Sequence, residues 1–234
     1  MLVSVIKLEN IKKIGKSILI FIGFYYSYLL QYIPVILFSI DTKKISGSMK
    51  LIVELSCFSE VCCFILLLLL YKKDLIEEWK KLKDQTLKKL DTGLACWALG
   101  LMIMAVSNFI LAMVFHSTNS NNEETVQSLL KTAPLLMGID ICIIAPFVEE
   151  MVFRKTAKDI FKNKYLFVLT SGLIFGLAHV IGQSSTLADW LYLIPYGAMG
   201  ASFAISYSKT DTIYTPMIFH MLHNSLIFII SVLI

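Results

Sequence analysis

Three short segments hold the residues able to do chemistry: Glu149-Glu150-Met151-Val152-Phe153-Arg154, Phe175-Gly176-Leu177-Ala178-His179 and His220-Met221-Leu222-His223-Asn224. Carboxylate with imidazole is the pairing of acid–base hydrolysis. The carboxylate takes a proton from water while nearby donors steady the charge that develops. On a helix, Glu150 and Arg154 are four apart, share a face and can pair. Glu149 points about 140° away from Arg154 at 100° per residue. The spacing therefore assigns Glu150 to Arg154 and leaves Glu149 for the reaction. Arg154 is the only arginine, against 20 lysines, and a planar guanidinium binds a carboxylate in a way an ammonium does not.

His220 and Asn224 are also four apart, so their donors converge from adjacent turns as a developing oxyanion requires. His223 is rotated about 100° from Asn224. Gly172, Gly176 and Ala178 would let a neighbouring helix come close to His179. Each segment also has a structural reading: Arg154 as one more juxtamembrane cation, His179 as an interhelical hydrogen-bonding residue, and the last trio as polar contacts between helices. A His-Glu-x-x-His zinc signature is absent. A metal held by His179, His220 and Glu149 across helices stays open, with no metal or other cofactor as the favoured expectation.

These groups must be positioned inside a membrane. The 234 residues are 57% hydrophobic and 16% charged, with a mean hydropathy of +0.73. The apolar residues come in blocks of the length a helix needs to cross about 30 Å of hydrocarbon. Backbone groups in lipid must be satisfied within the segment, which forces helices. The expected fold is an all-α polytopic bundle, a single membrane domain over 1–234. About seven spans are expected, at 17–40, 51–71, 92–115, 133–153, 165–182, 188–207 and 216–234. The first is too long for a signal-peptide core and reads as retained.

With the N-terminus inside, the cytoplasmic stretches hold 17 Lys and Arg and the outer ones four, which predicts N-in/C-out. Residues 72–91 carry Leu75, Ile76, Trp79, Leu82 and Leu90 near helical spacing among lysines. This reads as an amphipathic helix on the cytoplasmic leaflet or as a solvated extension of the second span. The cysteines, Cys57, Cys62, Cys63, Cys96 and Cys142, are odd in number and lie in apolar blocks, so no disulfide framework is expected. Ionisable residues in lipid are functional candidates by default, which adds Glu54, Glu60, Asp140 and Asp189. One difficulty follows from these boundaries. Glu149 and His220 fall toward the cytoplasmic side, while His179 lies about 22 Å into the fifth span at 1.5 Å per residue.

Glu-Glu-x-x-x-Arg, Phe-x-x-x-His and His-x-x-x-Asn in this order on membrane segments resemble the CAAX protease and bacteriocin-processing family, also called the Abi family. Phe153 before Arg154, Ser171 before Phe175 and Pro216 before His220 agree with it. The resemblance covers about residues 133–230, the expected catalytic core. It implies a glutamate-dependent intramembrane endopeptidase acting in peptide maturation or bacteriocin self-immunity. Glu149 would activate water, His179 would hold and polarise it, and His220 and Asn224 would stabilise the oxyanion. Glu150 and Arg154 would orient the site. Lys155 departs from the glycine that many bacterial members have there, which puts the local helix exit in question. The implied partners are a peptide or protein substrate and membrane lipid, with no nucleic acid. The lysine bias and short loops suit a bacterial cell membrane. A non-hydrolytic binding, immunity or sensor-regulating protein on the same fold is the alternative.

Overall fold

A computed structural model describes residues 2–115, 120–184 and 186–233, with side chains from residue 10 onward. Ile234, the expected end of the last span, lies outside the described residues. Among those described, every regular element is helical. Helix α1 (Leu2–Tyr25) bends by 54° through a 3-10 turn at Ser27–Gln31 into α2 (Tyr32–Leu37). A short α3 (Thr42–Ser46) and the long α4 (Met49–Leu70) follow, N-capped by Asp41 and Ser48. Such side-chain oxygens satisfy backbone N–H groups that a helix start leaves unpaired.

Helix α5 (Lys72–Lys83) is amphipathic and α6 (Thr86–Phe115) is long and apolar. Helix α7 (Asn121–Thr132), capped by Ser120, occupies a stretch expected to be a loop. Next come α8 (Pro134–Ile139), α9 (Ala145–Glu150) and α10 (Ala157–Ile160), joined by π-helical stretches at Asp140–Ile144 and Met151–Thr156 into one helical run over 134–160. Helices α11 (Lys164–Val180), α12 (Leu187–Leu191), α13 (Leu193–Thr210) and α14 (Tyr214–Leu233) complete the chain. Helices α4, α6 and α14 are long and apolar enough to cross a membrane, and the bent α1–α2 pair makes up to four candidates. The protein is an integral, multi-pass, all-helical membrane protein.

Two expectations need correction. The fourth segment does not end at Phe153 but runs to Ile160, so Glu149 and Glu150 stand in mid-helix. Lys155, the residue that put the exit in question, lies within the helix, and its ammonium meets buried Glu78 and half-buried Asp74 on α5. The amphipathic stretch is also shorter than 72–91. It stops at Lys83, and Gln85 takes a positive φ of 115° before α6 begins. Leu90 therefore belongs to α6. Helix α5 is seated on the protein through buried Leu75, Glu78 and Leu82, which neither a purely interfacial helix nor a solvated extension would bury.

Small residues bring the remaining helices together. Helix α13 packs between α6 and α11. A Cβ on Gly172 would lie 2.9 Å from the Ala201 Cβ, and one on Gly176 only 3.0 Å from the Gly197 backbone nitrogen. Close approach of this kind is how helices associate where lipid removes the hydrophobic drive. Ala178, expected at the same contact, is exposed instead. All five cysteines are free.

Candidate active site

The 134–160 run is where the acidic pair is set. Each π turn closes i→i+5 and so holds an extra residue relative to an α turn. The two π stretches bracket α9, and Glu150 ends that short α segment. Glu150 and Arg154 are both 0% exposed, with Arg154 Nε 3.4 Å from Glu150 Oε2. The guanidinium also donates through Nη2 to the Gly200 carbonyl at 3.3 Å and lies 4.3 Å from the Phe175 ring centroid and 5.5 Å from that of Phe203. A delocalised cation held against two aromatic faces is the arrangement that favours arginine over lysine.

The second contact of Glu150 was not foreseen. Its Oε1 accepts a hydrogen bond from His220 Nδ1 at 2.9 Å. His220 is itself buried and stacks on Phe203, with ring centroids 4.8 Å apart. With the Nδ1 proton committed to the carboxylate, Nε2 is left to face Glu149 Oε2, 3.6 Å away. His179 repeats the pattern from the other side. Its Nδ1 lies 2.9 Å from the Phe175 carbonyl, which can only accept, so Nδ1 carries the proton and Nε2 faces Glu149 Oε1 at 3.9 Å. Tyr196 stacks on the His179 ring at 4.7 Å and Phe175 tilts against it at 4.5 Å.

Two imidazoles therefore turn the same nitrogen toward one carboxylate. At 3.6 and 3.9 Å the three groups surround a space rather than bonding directly, and polar groups at such separations are the kind that a water bridges. The depth difficulty also dissolves. Glu149 is eleven residues from Ile160, about 16 Å along the run, and this brings it level with His179 near the end of α11.

Asn224 Nδ2 donates to the Ile141 carbonyl at 2.9 Å, within the first π stretch. One of its two N–H donors is thus engaged with backbone. Glu149, His179, His223 and Asn224 line a cavity of about 410 Å³, with α7 contributing Asn122, Glu123 and neighbours to its wall. His220 stands behind that lining rather than in it. Glu60 of α4 and Asp140 also line it. Glu54 pairs with Lys50 at the surface, and Asp189 closes a capping box with Thr186. Among the described residues, no three His, Cys, Asp or Glu side chains converge as a metal-binding group.

Sequence reasoning missed Phe203 and Tyr196, the ring supports of the two histidines, because an aromatic in a membrane helix carries no signal of what it stacks on. It also missed Glu78. This buried carboxylate accepts from Lys155 Nζ at 2.7 Å, from the Tyr207 hydroxyl at 2.9 Å and from the Ile213 N–H at 2.7 Å. Asp74 adds a second contact to Lys155 at 3.2 Å. Its only sequence trace was an acidic residue on the apolar face of α5, near Leu75 and Leu82.

Residues 131–226 match the family model for type II CAAX prenyl endopeptidase Rce1-like proteins. Among curated proteins, the chain is 26% identical over 183 residues to YdiL of Bacillus subtilis, provisionally named a membrane peptidase, covering 75% of this chain and 70% of YdiL. It is 29% identical over 147 residues to the membrane-embedded CAAX protease MroQ of Staphylococcus aureus, covering 58% of this chain and 56% of MroQ. It is 28% identical over 130 residues to the UPF0177 protein YvdC of Lactococcus lactis, covering 55% and 48%. The chain thus spans about half the length of the latter two. No solved structure matches.

Proposed function

We propose that the chain is a member of the CAAX protease and bacteriocin-processing family, which its match to the Rce1-like model over residues 131–226 and its likeness to YdiL and MroQ support, and that it is a membrane-embedded endopeptidase driven by Glu149. In this reading Glu149 takes a proton from a water held between it and His179 Nε2. The resulting hydroxide attacks the peptide carbonyl, and the proton passes on to the departing amine. The second N–H of Asn224 serves the oxyanion, joined by His220 Nε2 once that nitrogen takes up a proton during the reaction. Glu150 and Arg154 are positioning residues, fixing the tautomer and orientation of His220. The observation that carries this reading is the convergence of two Nε2 atoms on Glu149 at 3.6 and 3.9 Å, beside a cavity of about 410 Å³.

The bundle is proposed to cross the membrane seven times, with α1–α2, α4, α6, the 134–160 run, α11, α13 and α14 as the crossings, N-in and C-out. Helix α5 and the lysines near residues 155–164 then face the cytoplasm. The substrate is a peptide or the terminus of a small protein, as in peptide maturation or self-immunity to a bacteriocin, and the chemistry needs no metal. The test compares membrane and secreted peptides, by mass spectrometry, between wild type and the Glu149→Gln and His179→Ala variants at matched membrane levels. The wild-type products should vanish from both variants and persist under chelation. Products retained in both variants would overturn the peptidase reading. A protective phenotype that survives Glu149→Gln would select a binding-only protein.

A further inference from the structure

The cavity holds more carboxyl groups than the reaction uses. Glu60 from α4, Asp140 from the first π stretch and Glu123 from α7, the last engaged by Gln127, share it with Glu149, and none of these three has a part in activating water. No lysine or arginine is among the described residues lining it. The buried cations Arg154 and Lys155 are committed elsewhere, Arg154 to Glu150 and Lys155 to Glu78 and Asp74. Asp140 is only 8% exposed, and its Oδ1 is buried with no hydrogen-bond partner. A buried carboxylate oxygen without a partner is costly and is ordinarily paired. Asp140 itself is part of the wall of the space where a substrate would lie.

Resting on the peptidase reading, we infer that Asp140 and Glu60 form a subsite for a cationic group of the substrate next to the bond that is cut: a lysine or arginine side chain, or a free amino terminus. A metal ion is the other cation such carboxylates could take. A metal needs ligands converging within about 2.0–2.6 Å of one point, and among the described residues no such group of three exists. Carboxylates spread along a cavity suit an extended organic cation instead. The subsite excludes acidic side chains by like-charge repulsion.

The experiment uses the full-length protein in nanodiscs with a multiplexed library of short peptides, cleavage sites being read by mass spectrometry. A matched peptide set carries lysine, norleucine or glutamate at the favoured position, each with a free or an acetylated amino terminus. Binding is measured in parallel with reduced-amide versions of the same peptides. Wild type should favour lysine over norleucine about tenfold or more, as expected for a desolvated charge pair. That ratio should collapse toward one in Asp140→Asn and in Glu60→Gln, each checked for an unchanged unfolding midpoint. If the preference follows the free amino terminus rather than lysine, the cation is the peptide terminus and the subsite stands. Wild type cleaving without any cationic preference would overturn the inference while leaving the peptidase reading intact. So would a preference that persists in the double variant. Selective binding of the cationic reduced-amide peptides without cleavage of any peptide would instead keep the subsite and remove the peptidase.

Discussion

His220 donates to Glu150, not to the glutamate that faces the cavity: Nδ1 lies 2.9 Å from Glu150 Oε1, while Nε2 is 3.6 Å from Glu149. The acidic pair thus divides its labour through one imidazole. Glu150 decides which nitrogen of His220 carries a proton, and Glu149 meets the other. This is the way a carboxylate behind a histidine commonly acts, by setting tautomer and orientation.

Removing that constraint should slow the reaction without removing the base. Glu150→Gln keeps an oxygen that can accept from Nδ1 but loses the charge, whereas Glu150→Ala loses both. We expect Glu149→Gln to lower kcat by about a hundredfold or more, the scale of a lost general base, and Glu150→Gln to fall between it and wild type. Glu150→Ala should fall below Glu150→Gln, because it also removes the acceptor that orients His220 Nδ1. Cleavage kinetics in nanodiscs, with unfolding midpoints measured on the same samples, check this. Equal turnover in Glu150→Gln and Glu150→Ala would return Glu150 to a purely structural role.

Arg154 should tolerate no replacement. It is fully buried against Glu150, Phe175 and Phe203, and removing one partner of a buried pair costs about 3–5 kcal/mol. Arg154→Ala should lower the unfolding midpoint markedly. Arg154→Lys should recover part of the stability and little of the activity, since an ammonium cannot lie flat between two rings. Thermal unfolding and turnover measured on the same samples separate the two effects.

Lys155 and Glu78 fasten α5 to the helix that carries the acidic pair. Lys155→Met or Glu78→Met alone leaves a buried charge with fewer partners, Asp74 remaining near the lysine, and each should destabilise by about 2–4 kcal/mol. The double variant Lys155→Met/Glu78→Met should be less destabilised than the sum of the singles, because neither charge is then stranded. A double-mutant cycle on unfolding free energy reads this directly, and simple additivity would contradict the coupling.

At the turn between α13 and α14, Asp211 lies outside the spans and meets Lys81 at 2.6 Å and Lys158 at 2.8 Å. Burial alone would raise its pKa, but the hydrogen bonds and charges of Lys158 and Lys81 prevail and hold it at about 2, below the ordinary 3.8. A depressed carboxylate stabilises the fold above its unfolded pKa and loses that contribution as pH falls through the folded one. Wild type should therefore lose stability between about pH 4 and pH 2 by more than Asp211→Asn does. Asparagine suits the positive φ of 52° at this position, so the substitution removes charge with little backbone penalty. Unfolding midpoints over this pH range provide the comparison.

Gly176 tests the small-residue contact that sets His179. A methyl there would sit 3.0 Å from the backbone of Gly197 and of Leu193, atoms that cannot turn aside. Gly176→Ala should push α11 away from α13 and lower turnover more than it lowers peptide binding, because the His179 Nε2 moves relative to Glu149. Equal losses in kcat and binding would point to general unfolding instead.

The sequence by itself determined what is local. Helices follow from apolar blocks whose backbone must satisfy itself in lipid. The Glu150–Arg154 pair follows from four-residue spacing on one helix. The three motifs follow from residue types in order. Contacts between residues that are not close in sequence were beyond it, because they depend on how each helix is rotated and how deep it sits. His220 reaching Glu150 spans 70 residues, and Lys155 reaching Glu78 spans 77. The two π stretches add residues that α periodicity does not count, and the run to Ile160 moved the acidic pair from a helix end to its middle. That shift made one site of Glu149 and His179. Only the packed helices brought Glu60 and Asp140 into the same cavity, since no spacing along the chain relates residues on separate helices.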